Sequence, residues 1–472
     1  MEFDTDDFSA GHETAQSRNR ANRIAAILRT SKEALVEDGY AAFATRRVAT
    51  RLGISLSNLQ YYFSSREALL RATVEVELDR CLDVYRAIVA RSASPQRRFQ
   101  DLLECIIKQV NENEGARFVF EAWALAQHDD SVYAVVERVY IDYRGIFTRL
   151  LGQMYPLLTE EECHTRATVL TAQAEGMMIY AFRGGDTEKD YAEIVRTVKR
   201  SIRMVSSMPL SGGSDPAARQ SSLGELANEQ STWLDLELPR PVVFGSEGHL
   251  AHARLEVVRP NNSADSSYNR PTMQSRRRAE KINDIVTAAA NVFATEGYGN
   301  FTQARVAKLA GILPSGLQHY FPTHDELLRV TVNALLKTYL DRYTAMKQPN
   351  GKPAEARLSE IIDDVFAETC DPRAVRFSFE MFALAQHEEF VSDLFVRIYR
   401  TYRELMVELV SEIDPQATSR EAYARASVIG GTLEGLMVYT QKTGRDTPGI
   451  VPVFRLAKSI ALHIARGRSD PI

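Results

Sequence analysis

Near the N-terminus, Ile24, Ile27, Leu28, Ser31, Ala34 and Leu35 recur every three or four residues, with mostly polar and charged side chains between them. Because 3.6 residues complete a helical turn, this spacing puts them on one face and predicts an amphipathic helix packed on one side. The stripe stops at Gly39, a residue free to take the positive φ that closes a helix. Much later, Ile282, Ile285, Val286, Ala289, Val292 and Phe293 repeat the stripe, and Gly297 repeats the stop. Neither region contains a convincing run of polar and apolar alternation, so the expected class is all-α.

The recurrence extends along the chain. GISLSNLQYYFSSREALLRAT from Gly53 matches GILPSGLQHYFPTHDELLRVT from Gly311 at 11 of 21 positions, with an offset of 258. RFVFEAWALAQH from Arg117 matches RFSFEMFALAQH from Arg376 at nine of twelve, with the offset now 259. Glu175-Gly176 with Tyr180 keeps that offset against Glu434-Gly435 with Tyr439. Two collinear copies separated by one inserted residue account for this, covering about 18–207 and 276–468. Between them, 208–275 holds linker compositions such as Ser211-Gly-Gly-Ser-Asp-Pro, but 233–258 is apolar enough for a short strand pair or a segment docked on a copy, the alternative being disorder.

After each opening helix come two short ones, separated by Gly53 or Gly311. Two short helices joined by a glycine-containing turn form a helix-turn-helix, whose second helix can enter the DNA major groove. Val48, Ala49, Leu52, Ile54, Leu59 and Phe63 would pack beneath the opening helix. Ser55, Leu56, Ser57, Asn58, Gln60 and Tyr61 would remain outside, mostly small or hydrogen-bonding side chains suited to base edges and phosphates.

These runs resemble, twice in register, the DNA-binding domain of the TetR family of bacterial one-component repressors. The resemblance implies a three-helix head, 18–73 and 276–331, followed by a larger helical domain, 74–207 and 332–468, that binds a small molecule and dimerises. By motif position the recognition helices are Ser55 to Tyr62 and Pro314 to Tyr320. Gln60, Tyr61 and Tyr62, with Gln318, His319 and Tyr320, would touch bases or phosphates. Around them the interface would draw on Arg18, Arg20, Thr45, Arg46 and Arg47 in the first head, and on Thr302, Gln303, Arg305, Ser315 and Gly316 in the second. A phosphate-holding cation is expected at Arg66, replaced in the second copy by His324. Arg276, Arg277 and Arg278 could serve as a flexible arm reaching an adjacent groove.

Charge agrees with that placement. The first head has ten basic against four acidic residues, a net of +6; the second has seven against five, a net of +2. Since the whole chain of 472 residues carries −5, everything outside the heads sums to −13. Positive charge sits where phosphates would lie, and the stronger charge predicts that the first head binds DNA more tightly. Fusing the copies lets one chain present both heads as an intramolecular pseudo-dimer, the alternative being a homodimer of fused chains, and the unequal recognition helices predict an asymmetric operator.

Composition bounds the remaining possibilities. With 44% hydrophobic and 25% charged residues, the chain reads as an ordinary globular protein without a membrane helix, expected in the cytoplasm. Cys81, Cys105, Cys163 and Cys370 form no CxxC pair and are expected as reduced, buried thiols. No HExxH, GxSxG or GxGxxG occurs, so no enzyme, cofactor or metal is expected. His128-Asp129-Asp130 and His387-Glu388-Glu389 invite a metal reading, but adjacent residues on a helix diverge, which favours a helix end with acids opening the next helix. Phe118, Trp123, Tyr133 and Tyr140, with Phe377, Phe382, Phe395 and Tyr399, are candidates to line an apolar effector pocket. The expectation is a ligand-responsive DNA-binding repressor; the alternative is a small-molecule sensor acting through protein partners with one degenerate head.

Overall fold

The computed structural model describes residues 15–110, 113–183, 188–207 and 273–467, and no strand occurs among them. The first copy comprises α1 (Ala15–Ala42), α2 (Thr45–Arg51), α3 (Leu56–Tyr62), α4 (Arg66–Val89), α5 (Pro95–Val110), α6 (Asn113–Ala126), α7 (Asp130–Met154), α8 (Glu160–Arg183) and α9 (Glu188–Ser207). The second comprises α10 (Met273–Glu296), α11 (Gln303–Leu309), α12 (Pro314–Tyr320), α13 (His324–Lys347), α14 (Ala354–Thr369), α15 (Pro372–Leu384), α16 (Glu389–Ile413), α17 (Ser419–Gly435), α18 (Met437–Thr440) and α19 (Ile450–Arg466). The expected linker lies outside the described residues except for 273–275, as does the whole of 233–258. Arg276, Arg277 and Arg278 fall inside α10, so they form an exposed helical face rather than a flexible arm.

Each head is built as its apolar pattern requires. Ile27, Ala34 and Leu35 of α1 are buried against Val48, Ala49 and Leu59, while Leu52, Ile54 and Phe63 pack at the edge of this core. Gly297, with φ of 77°, follows the last residue of α10 as expected, whereas Gly39, with φ of 76°, breaks the helical conformation within α1 three residues before its end. Ser55 caps α3 by accepting from Asn58 N at 3.1 Å, and Ser65 caps α4 by accepting from Ala68 N at 3.1 Å. In the second head Thr302 and Thr323 cap α11 and α13, but Leu313 occupies the place of Ser55 and leaves α12 without a side-chain cap.

The copies meet chiefly along α8 and α17. A Cβ on Gly176 would fall 1.5 Å from the Gly431 carbonyl oxygen, and one on Gly435 would fall 1.7 Å from that of Ala172. The two backbones are therefore in direct contact, which only glycine permits. Beside this crossing, Trp123 packs on Phe379 at 5.1 Å and Phe120 on Phe382 at 5.6 Å between ring centroids, building one apolar core across both copies. Gln173 Nε2 donates to Thr432 Oγ1 at 3.1 Å, and Lys442 pairs with Asp130 at 2.6 Å.

Candidate nucleic-acid interface and effector cavity

On α3 the side chains of Ser57, Asn58, Gln60 and Tyr61 are exposed with Ser55 just before them, and Leu56 and Tyr62 are half-buried. Tyr61 is 74% exposed, unusual for a large aromatic ring and suited to a ring that meets a partner. On α12 Pro314, Ser315, Gln318 and His319 are exposed, with Gly316 and Tyr320 half-buried. Arg20 lies over the Tyr62 ring at 6.0 Å and Arg278 over Tyr320 at 5.8 Å, so each opening helix brings the same cation to the end of its recognition helix. Arg18, Arg46, Arg276 and Arg277 are exposed nearby in sequence, and Thr45 is half-buried.

Several of the expected contact residues also have partners within the protein. The Arg66 guanidinium donates to Phe43 O at 3.0 Å and to Tyr40 O, and His324 Nε2 donates to Phe301 O at 2.8 Å. Position 66 and its counterpart 324 both tie the start of the next helix to the end of the opening one and the loop after it. Arg47 pairs with Asp38, and Arg305 with Glu296. Gln303 Nε2 donates to Phe321 O at 2.8 Å, which turns that side chain inward.

A second feature links the heads to the helical domains. Glu121, on α6, accepts from Tyr40 N at 2.7 Å and from His387 Nε2 of the second copy at 2.8 Å. Glu380, on α15, accepts from Tyr298 N at 3.0 Å, from Tyr40 Oη of the first copy at 2.8 Å, and from His128 Nε2 of the first copy. Both carboxylates are buried. Burial, with the Glu380 carboxylate beside it, pushes the Tyr40 phenol far upward, so it remains a donor. A Cβ on Gly297 would strike His128 and one on Gly39 would crowd His387, so these glycines serve the crossing as well as the turn. Each helix-stopping glycine is thus followed by a backbone N–H held by its own copy's glutamate, which the other copy's histidine also holds. The His-Asp-Asp run divides as expected at a helix end, with Asp129 capping α7. What its spacing did not reveal was the partner of His128, 252 residues away.

A cavity of about 490 Å³ in the first copy lies among α4, α5, α6, α7 and α8. Phe118 and Tyr140 line it as anticipated. Trp123 does not; it is buried between the copies and donates to Tyr140 Oη at 3.1 Å. Tyr133 lies under Lys442 of the second copy, 4.4 Å from its ring centroid. The corresponding cavity of the second copy, about 110 Å³, includes Phe377, Phe382, Phe395 and Tyr399. Sequence reasoning missed Tyr85, Tyr143 and Glu175, whose counterparts Tyr343, Tyr402 and Glu434 line the second cavity. The repeated Glu-Gly pair was the available signal. Cys163 and Cys370 are buried and Cys105 half-buried, but Cys81 is exposed, correcting the expectation of four buried thiols. Burial pushes the Cys370 thiol up to about 12. No group of three potential metal ligands forms among the described residues.

Burial raises the Glu175 and Glu434 carboxyls from 4.5 to about 7, although a hydrogen bond from Tyr140 or Tyr399 opposes the rise. Below pH 4.5 both are protonated in folded and unfolded chains alike. As pH rises, the unfolded chain ionises first, so each carboxyl costs stability that grows up to about pH 7 and then levels off. Replacing both with glutamine is therefore expected to raise stability at pH 8, by on the order of 2 kcal/mol per site, and to change it little at pH 4.5. Thermal melts at the two pH values check this; an equal gain at both would refute it.

Comparison with known proteins places these features in context. The model described as "Bacterial regulatory proteins, tetR family" matches residues 27–73 and again 285–331. That described as "BetI-type transcriptional repressor, C-terminal" matches 354–444. The chain is 30% identical over 149 residues to the HTH-type transcriptional regulator BetI of Rhizobium meliloti, covering 31% of this chain and 73% of that protein. It is 27% identical over 199 residues to BetI of Escherichia coli, covering 40% and 93%. An uncharacterized HTH-type transcriptional regulator of the dhlA 5' region in Xanthobacter autotrophicus is 29% identical over 141 residues, covering 29% and 67%. Each similarity thus spans most of the relative but well under half of this chain, as a duplicated architecture would produce.

Proposed function

Because the chain belongs to the TetR family of bacterial regulatory proteins, we propose that it is a cytoplasmic repressor that binds an asymmetric operator with both heads of one chain and is released by a small effector. The observation that carries this reading is the pair of exposed recognition surfaces on α3 and α12, joined through the crossed Glu121–His387 and Glu380–His128 contacts. Two recognition helices held about 34–36 Å apart can read successive major grooves. An effector that favours another head spacing lowers operator affinity by its differential affinity for the two states. The helical domains 74–207 and 332–468 would supply both the effector cavity and the packing between copies.

Light scattering of the protein–operator complex tests the arrangement: one chain per operator is expected, and two would refute it. Within that complex the first head should dominate. Alanine at Gln60 and Tyr61 should weaken binding by about 10- to 100-fold, as expected for loss of base-edge contacts worth roughly 1–3 kcal/mol each. Alanine at Gln318 and His319 should weaken it less, and the reverse ranking in a gel-shift titration would overturn the assignment. A second reading, a sensor acting through protein partners with one degenerate head, is favoured by Leu313, uncapping and 74% exposed at the start of α12. It predicts that the Gln318 and His319 variants leave operator affinity unchanged.

A further inference from the structure

The two recognition surfaces differ where they begin. With an offset of 258, Leu313, Pro314 and Gly316 stand where the first head has Ser55, Leu56 and Asn58. In the first head Ser55 accepts from Asn58 N and its Oγ lies 3.0 Å from that of Ser57, so the start of α3 presents hydroxyl and amide groups. In the second, Leu313 is exposed and caps nothing, Pro314 is exposed beside it and has no N–H, and Gly316 has no side chain. Of the residues 313–316 that open α12, Ser315 alone keeps a hydrogen-bonding side chain.

Nothing inside the protein calls for these residues. A serine at 313 would cap α12 as Ser55 caps α3, and leucine gives that up. Leu313 joins no core, and it is one of the most exposed large apolar side chains among the described residues. A Cβ on Gly316 would meet no atom within 4 Å, so packing does not demand glycine there either. Residues that break local rules without serving the fold are expected where a surface meets its partner. Leu309 on α11 is exposed too, but it follows the exposed Lys308, and Ser315, Gln318 and His319 are exposed on α12. A few apolar groups set in a polar, cationic face suit nucleic acid better than the apolar patch core that a protein partner covers.

We propose that Leu313, followed by Pro314, reads the 5-methyl group of thymine in the half-site that the second head occupies, so that methyl contact specifies this half-site where hydrogen bonds from Ser57, Asn58 and Gln60 specify the first. The residues that open a recognition helix reach base edges in the major groove, and thymine alone carries a methyl group there. Leucine offers neither donor nor acceptor. Against the polar edge of guanine, adenine or cytosine it would strip water from a base atom and leave that atom unpaired. Against a thymine methyl, both apolar groups gain by leaving water. Gly316 puts no side chain between the start of α12 and the base, which permits the close approach that a methyl contact needs. The proposal rests on the reading that both heads engage the operator, and it names the base that the second one requires. The asymmetry of the operator then becomes a difference in chemistry between its halves as well as in sequence.

Gel-shift titration of the full chain tests it, on the tightest-binding duplex selected from a random pool. The half-site whose footprint weakens when Gln318→Ala and His319→Ala are introduced together belongs to the second head. Replacing its thymines with deoxyuridine, which lacks only the methyl group, should weaken binding roughly three- to tenfold. 5-Bromodeoxyuridine, whose bromine fills the place of the methyl, should restore it. Leu313→Ser copies the first head and supplies the missing cap, so its melting temperature should not fall. It should bind the thymine duplex as weakly as the parent binds the deoxyuridine one, and should not distinguish the two. A selected half-site without thymine, no loss with deoxyuridine, or a Leu313→Ser variant that still distinguishes the duplexes would each overturn the proposal and leave the second head on the operator. Unchanged operator affinity in Leu313→Ser would overturn it too and assign the exposed leucine to a protein partner. If no duplex is selected, or the double variant weakens the footprint of neither half-site, the second head does not engage DNA and the proposal falls together with that reading.

Discussion

Gly176→Leu is expected to cost at least about 4 kcal/mol, beyond the roughly 1–3 kcal/mol of ordinary overpacking in a core. The reason is the identity of the obstacle. A Cβ at Gly176 meets the Gly431 carbonyl oxygen at 1.5 Å and the Gly435 nitrogen at 2.9 Å, atoms of backbone that no rotamer change can move. Only separation of α8 from α17 relieves the clash, and that separation opens the core that Trp123, Phe120, Phe379 and Phe382 form between copies. The melting temperature should fall by on the order of 5–10 °C. Operator affinity should fall with it, because the spacing of the heads depends on the same packing. Gly115→Ala is the control: nothing lies within 4 Å of a Cβ there, and alanine in α6 should be neutral or gain up to about 1 kcal/mol. A Gly176→Leu protein that melts with the parent would show that the copies do not pack through this crossing.

Glu380→Ala is the second large effect. The substitution strands three donors at once, Tyr298 N, Tyr40 Oη and His128 Nε2. Removing one partner of a buried charged network costs about 3–5 kcal/mol, because the groups left behind keep their desolvation penalty. Glu121→Ala strands two, Tyr40 N and His387 Nε2, so its cost should be smaller by about one hydrogen bond, on the order of 1 kcal/mol. The two should also interact. Tyr40 is held by Glu121 through its backbone and by Glu380 through its phenol, so the double variant is expected to depart from additivity in a thermodynamic cycle. Equal costs and strict additivity would mean that the crossed contacts do not act as a unit. If they do act as one, a change in either helical domain reaches both heads, since each glutamate receives a histidine from the other copy.

The recurring stripe, the glycine stops, the two short helices and the basic heads were all readable without coordinates. They are local or periodic properties, and duplication displayed each of them twice. Ser55, Gln60 and Tyr61 could be placed on the outside because Leu59 and Phe63 had to go inside. Tertiary structure alone decided what the remaining polar residues do. Arg66 and His324 look like surface cations in sequence and are tied to backbone carbonyls in the fold. His128 meets Glu380 across 252 residues and His387 meets Glu121 across 266, pairings that no spacing rule can specify because they exist only once the two copies dock. The inequality of the cavities has the same origin. Val84 and Gln109 line the first cavity from two different helices, and Tyr339 and Glu368 line the second from the corresponding two, so how much space they leave depends on how those helices converge. Sequence fixes which side chains a helix face offers; packing determines which faces meet, and here that decides both how the heads are linked and which copy keeps an open cavity.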